Sequence, residues 1–157
     1  MWKLFAKKKK QILAPVSGKL ISLIDVKDEA FASGMMGDGF AIEFNGENVY
    51  SPVDGIVKMC FPTKHAIGIK SSSGSDVIIH IGIDTVNMNG IGFNLRVTPE
   101  QKVNKGDLLI DVNSSFIKEK GYDPTTMILF PNGETIKILK KDLYVNEKEE
   151  VAECLKN

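Results

Sequence analysis

One short pattern occurs twice and limits what this chain can fold into. Ala14-Pro15-Val16-Ser17-Gly18-Lys19-Leu20-Ile21 returns as Ser51-Pro52-Val53-Asp54-Gly55-Ile56-Val57-Lys58, 37 residues later, with Pro, Val and Gly at matching places. In each copy proline sets an extended or turn entry, glycine allows a tight bend, and a short run with β-branched residues follows. A third punctuation of the same kind, Val103-Asn104-Lys105-Gly106-Asp107, precedes Leu108-Leu109-Ile110-Asp111-Val112. Such a chain reads as short strands joined by turns.

Other segments agree. Phe40-Ala41-Ile42-Glu43-Phe44 alternates large apolar residues with smaller or charged ones, and Asn45-Gly46 then predicts a hairpin into Val49-Tyr50. Residues 66–70 and 77–83, separated by Ser71-Ser72-Ser73-Gly74-Ser75, form a second predicted antiparallel pair, and 126–130 a late strand. Helical period is confined to 114–120, closed by Gly121 with Pro124 beyond, and to a charged stretch over 147–157 that could equally fray. The expected architecture is all-β: an antiparallel β-sandwich or partly closed barrel with an internally repeated strand–turn motif and little helix.

A chain of 157 residues is one domain by length and can bury a sufficient core without a disulfide staple. Cys60 and Cys154 lie 94 residues apart with no C-x-x-C pattern, which fits a reducing cytoplasm. Twenty basic and twenty acidic residues sum to zero, so no overall field draws nucleic acid. The charge is uneven, however: five lysines among the first ten residues leave 11–157 at −5. Residues 1–10 thus form a basic tail ahead of a single domain over 11–157. Trp2, Leu4 and Phe5 beside those lysines suit a weak contact with an anionic membrane surface, and equally a solvated terminus. No apolar run is long enough to span a membrane.

Chemistry has few carriers. G-x-S-x-G, the P-loop, G-x-G-x-x-G and H-E-x-x-H are all absent, and Gly34-Met35-Met36-Gly37-Asp38-Gly39 does not open a helix after a strand, as a phosphate cradle would. The two histidines stand out. Strand alternation puts His80 on one face with Ile78 and Gly82, while Ile79, Ile81 and Ile83 take the core face. Gly82 would leave open space beside the imidazole for a phosphate or metal, and Asp84 would bring a carboxylate to the same face. His65 follows Phe61-Pro62-Thr63-Lys64, where Thr63 could hydrogen-bond one of its neighbours, and pairing of the two strands would bring both imidazoles together. The plainer alternative is a hydrogen-bonded structural histidine; His65 shares parity with Ile67 and Ile69, which fits a core position.

Phe61-Pro62-Thr63-Lys64-His65-Ala66, Val77-Ile78-Ile79-His80-Ile81-Gly82-Ile83-Asp84-Thr85-Val86 and Met36-Gly37-Asp38-Gly39 resemble the glucose-family IIA component of the bacterial sugar phosphotransferase system. The likeness extends through both P-V-x-G turns to Val103-Asn104-Lys105-Gly106-Asp107 and fades after Phe130. It implies a cytoplasmic phosphoryl carrier that needs no cofactor, in which His80 accepts phosphate from the phosphocarrier HPr and passes it to a IIB domain. His65 would be the second active-site histidine and Thr63 the hydroxyl that orients the pair, with Asp84 near the site. Phe31, Met35, Met36, Phe61 and Val86 would form an apolar ring where partners dock.

Two rival readings come from other classes. His80-x-x-x-Asp84 has half the spacing of a lysostaphin-like zinc peptidase, but the H-x-H pair of such sites is missing. A lipoyl or biotinyl carrier is suggested by Pro52-Val53-Asp54-Gly55 and Val57-Lys58-Met59, although Lys58 does not lie at an identifiable hairpin tip. Zinc held by His65 and His80 against a partner's carboxylate is a secondary expectation.

Overall fold

Fourteen strands and two short helices make up residues 10–155, which the computed structural model describes. The strands are β1 (Lys10–Leu13), β2 (Gly18–Ile21), β3 (Asp38–Phe44), β4 (Asn48–Tyr50), β5 (Gly55–Cys60), β6 (Ala66–Ser71) and β7 (Asp76–Ile83). They continue as β8 (Asn94–Leu95), β9 (Lys102–Val103), β10 (Leu108–Asp111), β11 (Asp123–Phe130), β12 (Thr135–Ile138), β13 (Tyr144–Val145) and β14 (Glu150–Leu155). The helices are α1 (Glu29–Ala32) and α2 (Ser114–Glu119), with 3-10 turns at Leu23–Asp25 and Thr85–Met88.

Every strand pair is antiparallel. Eight strands form one sheet in the order β13-β2-β3-β11-β7-β6-β5-β9, and two three-stranded sheets, β1-β14-β12 and β4-β10-β8, complete the all-β sandwich. One face of the large sheet, through Leu20, Phe40, Ile42, Ile79 and Ile128, packs with Ile12 and Val151 of one small sheet and Val49 and Leu109 of the other in a single buried core. Its opposite face carries a smaller cluster of Ile21, Ala41, Met127 and Leu129, covered by Leu23, Val26 and Phe31 from the segment between β2 and β3. A two-sided sheet of this kind needs apolar residues on both faces, which is why β11 is buried along nearly its whole length.

The repeated motif is built the same way twice. Gly18 opens β2 opposite Val145, and Gly55 opens β5 opposite Val103, so each copy lies next to a two-residue edge strand. A side chain at either glycine would strike a neighbouring strand's carbonyl, at 2.0 Å from Glu43 and 2.2 Å from Lys70. The turns beyond the edge strands match as well: the Gly106 and Lys148 amides donate to the Ser51 and Ala14 carbonyls, each at 2.8 Å. Val145-Asn146-Glu147-Lys148-Glu149 is therefore the counterpart of Val103-Asn104-Lys105-Gly106-Asp107, a correspondence hidden in the sequence because charged residues replace Gly and Asp.

The pairing of β6 with β7 and the strand over 126–130 match expectation, as does α2, capped by the Asn113 side chain accepting from Ser115 and ended at Gly121. Three expectations are corrected. Asn45-Gly46 does not close a hairpin, because β4 leaves the large sheet and pairs with β10. Residues 150–155 are strand β14 rather than helix: Val151 and Cys154 are buried and the strand pairs on both sides, with β1 and β12. Lys10, placed with the basic tail, begins β1 opposite Cys154. The remainder of that tail, residues 1–9, lies outside the described residues. Among the described residues no helix is long and apolar enough to cross a membrane.

Candidate active site: two neutral imidazoles on the thinly covered face

His80 belongs to the face with the smaller cluster. Directly opposed residues run across the sheet in the row Ile21-Ala41-Met127-His80-Ala66, over β2, β3, β11, β7 and β6. Among the described residues the apolar cover over this row is the short segment with Leu23, Val26 and Phe31, and the imidazole is half-buried with its ring centroid 5.0 Å from that of Phe31.

His65 reaches the same place from the end of the turn before β6. That turn is closed by Lys64 N–H donating to Phe61 C=O at 2.8 Å and by Phe61 N–H donating to Ala66 C=O at 3.1 Å. The His65 carbonyl accepts from the Ile81 amide at 2.7 Å, tying the turn to the strand that carries His80. The two imidazoles lie 5.0 Å apart, edge to face at 80°. The sequence thus placed the pair correctly, and the core parity of His65 is also real, since it is 5% exposed.

Their hydrogen bonds define the chemistry. Nδ1 of His80 lies 2.9 Å from the Gly82 carbonyl oxygen. A carbonyl only accepts, so Nδ1 carries the proton and the lone pair belongs to Nε2. Nδ1 of His65 lies 2.7 Å from the Thr63 hydroxyl, which leaves its Nε2 free for a second contact. Burial, and then the neighbouring His65, push the His80 pKa down from 6.5 to about 4, opposed by the Gly82 carbonyl and the charges of Asp28 and Asp84. Burial lowers the His65 pKa too. Both rings are held neutral near pH 7, as an imidazole nucleophile must be.

Gly82 contributes something other than the open space expected of it. Its φ of +80° is a conformation that L side chains rarely adopt, and an added Cβ would sit 2.4 Å from the Thr85 methyl and 3.1 Å from the Asp123 carbonyl. The space is filled, and what glycine supplies is a backbone kink that turns its carbonyl toward His80. The same kink breaks the alternation of β7: Ile83, expected on the core face with Ile79 and Ile81, packs instead with Phe31 and Met127. Asp84 follows in the left-handed region at φ 61°, exposed, and acts on His80 through its charge.

The expected apolar ring is divided by exposure. Met35, Met36 and Val86 are exposed at 76%, 40% and 45%, and Phe61 is half-buried with its ring 5.5 Å from that of His65. Phe31 differs: at 7% exposure it is a wall of the site. Ile24 and Ile91 are further exposed apolar residues, outside the expected ring. Ile24 stands between Leu23 and Val26 of the covering segment, and Ile91 follows Gly90, which lies against the Thr63 backbone. An isoleucine in a short turn carries no periodicity from which its exposure could be read.

For zinc, the donors present are the two Nε2 atoms. Among the described residues no three His, Cys, Asp or Glu side chains are grouped to hold a metal, so the three protein ligands of a catalytic zinc are not assembled and the peptidase reading loses its site. Lys58 lies inside β5 with its ammonium 3.1 Å from the Glu100 carboxylate, not at a hairpin tip where a lipoyl or biotinyl group would be carried.

An all-β domain that presents a neutral imidazole nucleophile beside a second imidazole, with exposed methionines a few residues beyond the Phe31 wall, has the makings of a group-transfer protein. Residues 10–136 match the family model described as the phosphoenolpyruvate-dependent sugar phosphotransferase system, EIIA 1, and the chain belongs to that family. It is a phosphotransferase-system component of the phosphoryl-carrying IIA type, acting in sugar uptake. A glucose-specific EIIA component from Halalkalibacterium halodurans is 42% identical over 137 residues, covering 87% of this chain and 79% of that protein. In Streptococcus pneumoniae a glucose-specific EIICBA component is 43% identical over 130 residues, 83% of this chain but 18% of that longer protein. The solved structure of glucose permease IIA from Mycoplasma capricolum superimposes with a TM-score of 0.86 at 41% identity, covering 97% of this chain and 98% of that one.

Proposed function

We propose that this chain accepts a phosphoryl group on Nε2 of His80 from HPr and delivers it to a IIB domain. The observation that carries the reading is the Gly82 carbonyl on Nδ1, which leaves Nε2 as the ring's nucleophilic nitrogen. As the Nε2 lone pair forms the N–P bond, the bond from phosphorus to the donor breaks and its electron pair leaves with the donor. The imidazole keeps its Nδ1 proton and becomes cationic. The Gly82 carbonyl, Asp28 and Asp84, which already favour the charged ring, stabilise it at that moment. Phosphoryl transfer is mostly positioning and charge stabilisation, and holding the reacting groups in place can supply roughly 7–11 kcal/mol of the barrier.

His65 is the second participant. With Thr63 donating to its Nδ1, the Nε2–H of His65 is available to the phosphoryl oxygens. Met35, Met36, Val86 and Phe61 form an apolar rim suited to successive partners, since flexible thioethers adapt to different surfaces. The pneumococcal relative, in which the matching unit is one part of an EIICBA chain, supports a IIB unit as the acceptor. Residues 1–9, with their four lysines, are assigned a weak contact with anionic membrane at the cytoplasmic face. Equal liposome co-sedimentation of the full chain and residues 10–157 would remove that assignment.

The test of the main reading is incubation with phosphoenolpyruvate, enzyme I and HPr, followed by mass spectrometry. One acid-labile phosphate on His80 is expected. An adduct on another residue, or none with active partners, would overturn the reading.

A further inference from the structure

We propose that Thr85 is a positioning residue for the nucleophile: it locks the Ile81–Gly82 backbone so that the Gly82 carbonyl faces His80. Thr85 is fully buried yet polar, and lies beyond the end of β7 in the 3-10 turn Thr85–Met88. Its hydroxyl donates to the Ile81 carbonyl, and its methyl occupies the place where a Gly82 side chain would be.

The sheet alone does not hold this stretch. Between β7 and β11 the register runs regularly from Ile78 to Ile81, but Ile83 then faces Asp123 while Ile81 faces Thr126, so an extra residue is inserted on β11 at the level of Gly82. Ladder hydrogen bonds are disrupted at such a bulge, and glycine leaves the backbone its widest freedom there. A second restraint is therefore needed to keep one carbonyl aimed at one ring nitrogen. Thr85 supplies it through its hydroxyl, which grips the residue before Gly82. The effect on chemistry passes through the His80 tautomer. If the Gly82 carbonyl turns away, Nδ1–H loses its acceptor, the two neutral tautomers become comparable, and the fraction of rings with the lone pair on Nε2 falls.

The inference rests on His80 being the acceptor, so its test begins on unphosphorylated protein. Long-range proton–nitrogen NMR of histidine-labelled protein should show His80 as the Nδ1–H tautomer. Thr85→Val keeps the volume but deletes the hydroxyl; it should give a mixed tautomer and an acceptance rate from phosphorylated HPr lower by about tenfold, the scale of one lost hydrogen bond. Thr85→Ser, which retains the hydroxyl, should restore both. A merely structural threonine would lower the unfolding temperature and leave the tautomer unchanged. Wild-type tautomer and rate in folded Thr85→Val would overturn the proposal, as would failure of Thr85→Ser to restore the tautomer. If Thr85→Val does not fold, Thr85→Ser against Thr85→Ala makes the same comparison. A changed tautomer with phosphate found on another residue would support the positioning role and overturn the acceptor reading.

Discussion

The two halves of the large sheet are built on one plan, and only one of them carries the chemistry. Gly18 opposite Phe44 and Gly55 opposite Ser71 align β3 with β6, which places Gly39 where Ala66 stands and, across the next pairing, Leu129 where His80 stands. The row through His80 has as its counterpart Gly39-Leu129-Ile78-Gly68-Met59. Leu129 is fully buried in the smaller cluster. The His65 position falls to Asp38, whose carboxylate accepts from the amides of Gly39 and Ile136 at 2.8 Å each and so serves the backbone. The same scaffold thus makes a packing site in one half and a reactive site in the other. The difference lies in two imidazoles at positions that the other half gives to a buried leucine and an amide-bound aspartate, and in the kink at Gly82.

Substitutions at equivalent positions should therefore have opposite signatures. His80→Gln is expected to abolish phosphate acceptance while leaving the unfolding temperature close to wild type; residual acceptance at the native rate would end the account. Leu129→Ala should do the reverse, costing about 2–5 kcal/mol in denaturant unfolding while the folded fraction still accepts phosphate. His65→Gln should leave acceptance measurable but slow transfer to IIB by roughly 10²–10³-fold, the cost of one preorganised donor. If both transfers continued unchanged, the two-histidine mechanism would be wrong.

A smaller effect is expected from pH. With a pKa near 4 in the native protein and 6.5 as the ordinary value, His80 takes up a proton more readily when the chain is unfolded. The unfolded state binds more protons across that window, so this contribution is complete above about pH 6.5 and is lost as pH falls toward 4. Denaturant melts of wild type and His80→Gln should diverge in pH dependence within that window and run parallel above it. Parallel curves throughout would show that the ring is not held neutral by burial.

Much of this was legible in the sequence. The P-V-x-G repeat and the alternating runs carry strong local signals, because proline, glycine and β-branched residues act on the backbone within a few residues. The His65–His80 encounter followed from one predicted hairpin. Less visible was what depends on partners distant in sequence: β4 choosing β10, the terminal strand β14 taking two neighbours, and the match of Val145–Glu149 to Val103–Asp107. The part played by Gly82 is hidden from the sequence for the same reason. Sequence shows a missing side chain, whereas the kink and the Thr85 methyl that fills the space appear only when β7 meets β11.

The most direct test is to find which nitrogen of His80 bears the phosphate. Phosphorus-coupled nitrogen NMR of the phosphorylated, histidine-labelled protein should place the group on Nε2, with Nδ1 still protonated against the Gly82 carbonyl. Phosphate on Nδ1 would contradict the account, because that atom is the one the carbonyl holds.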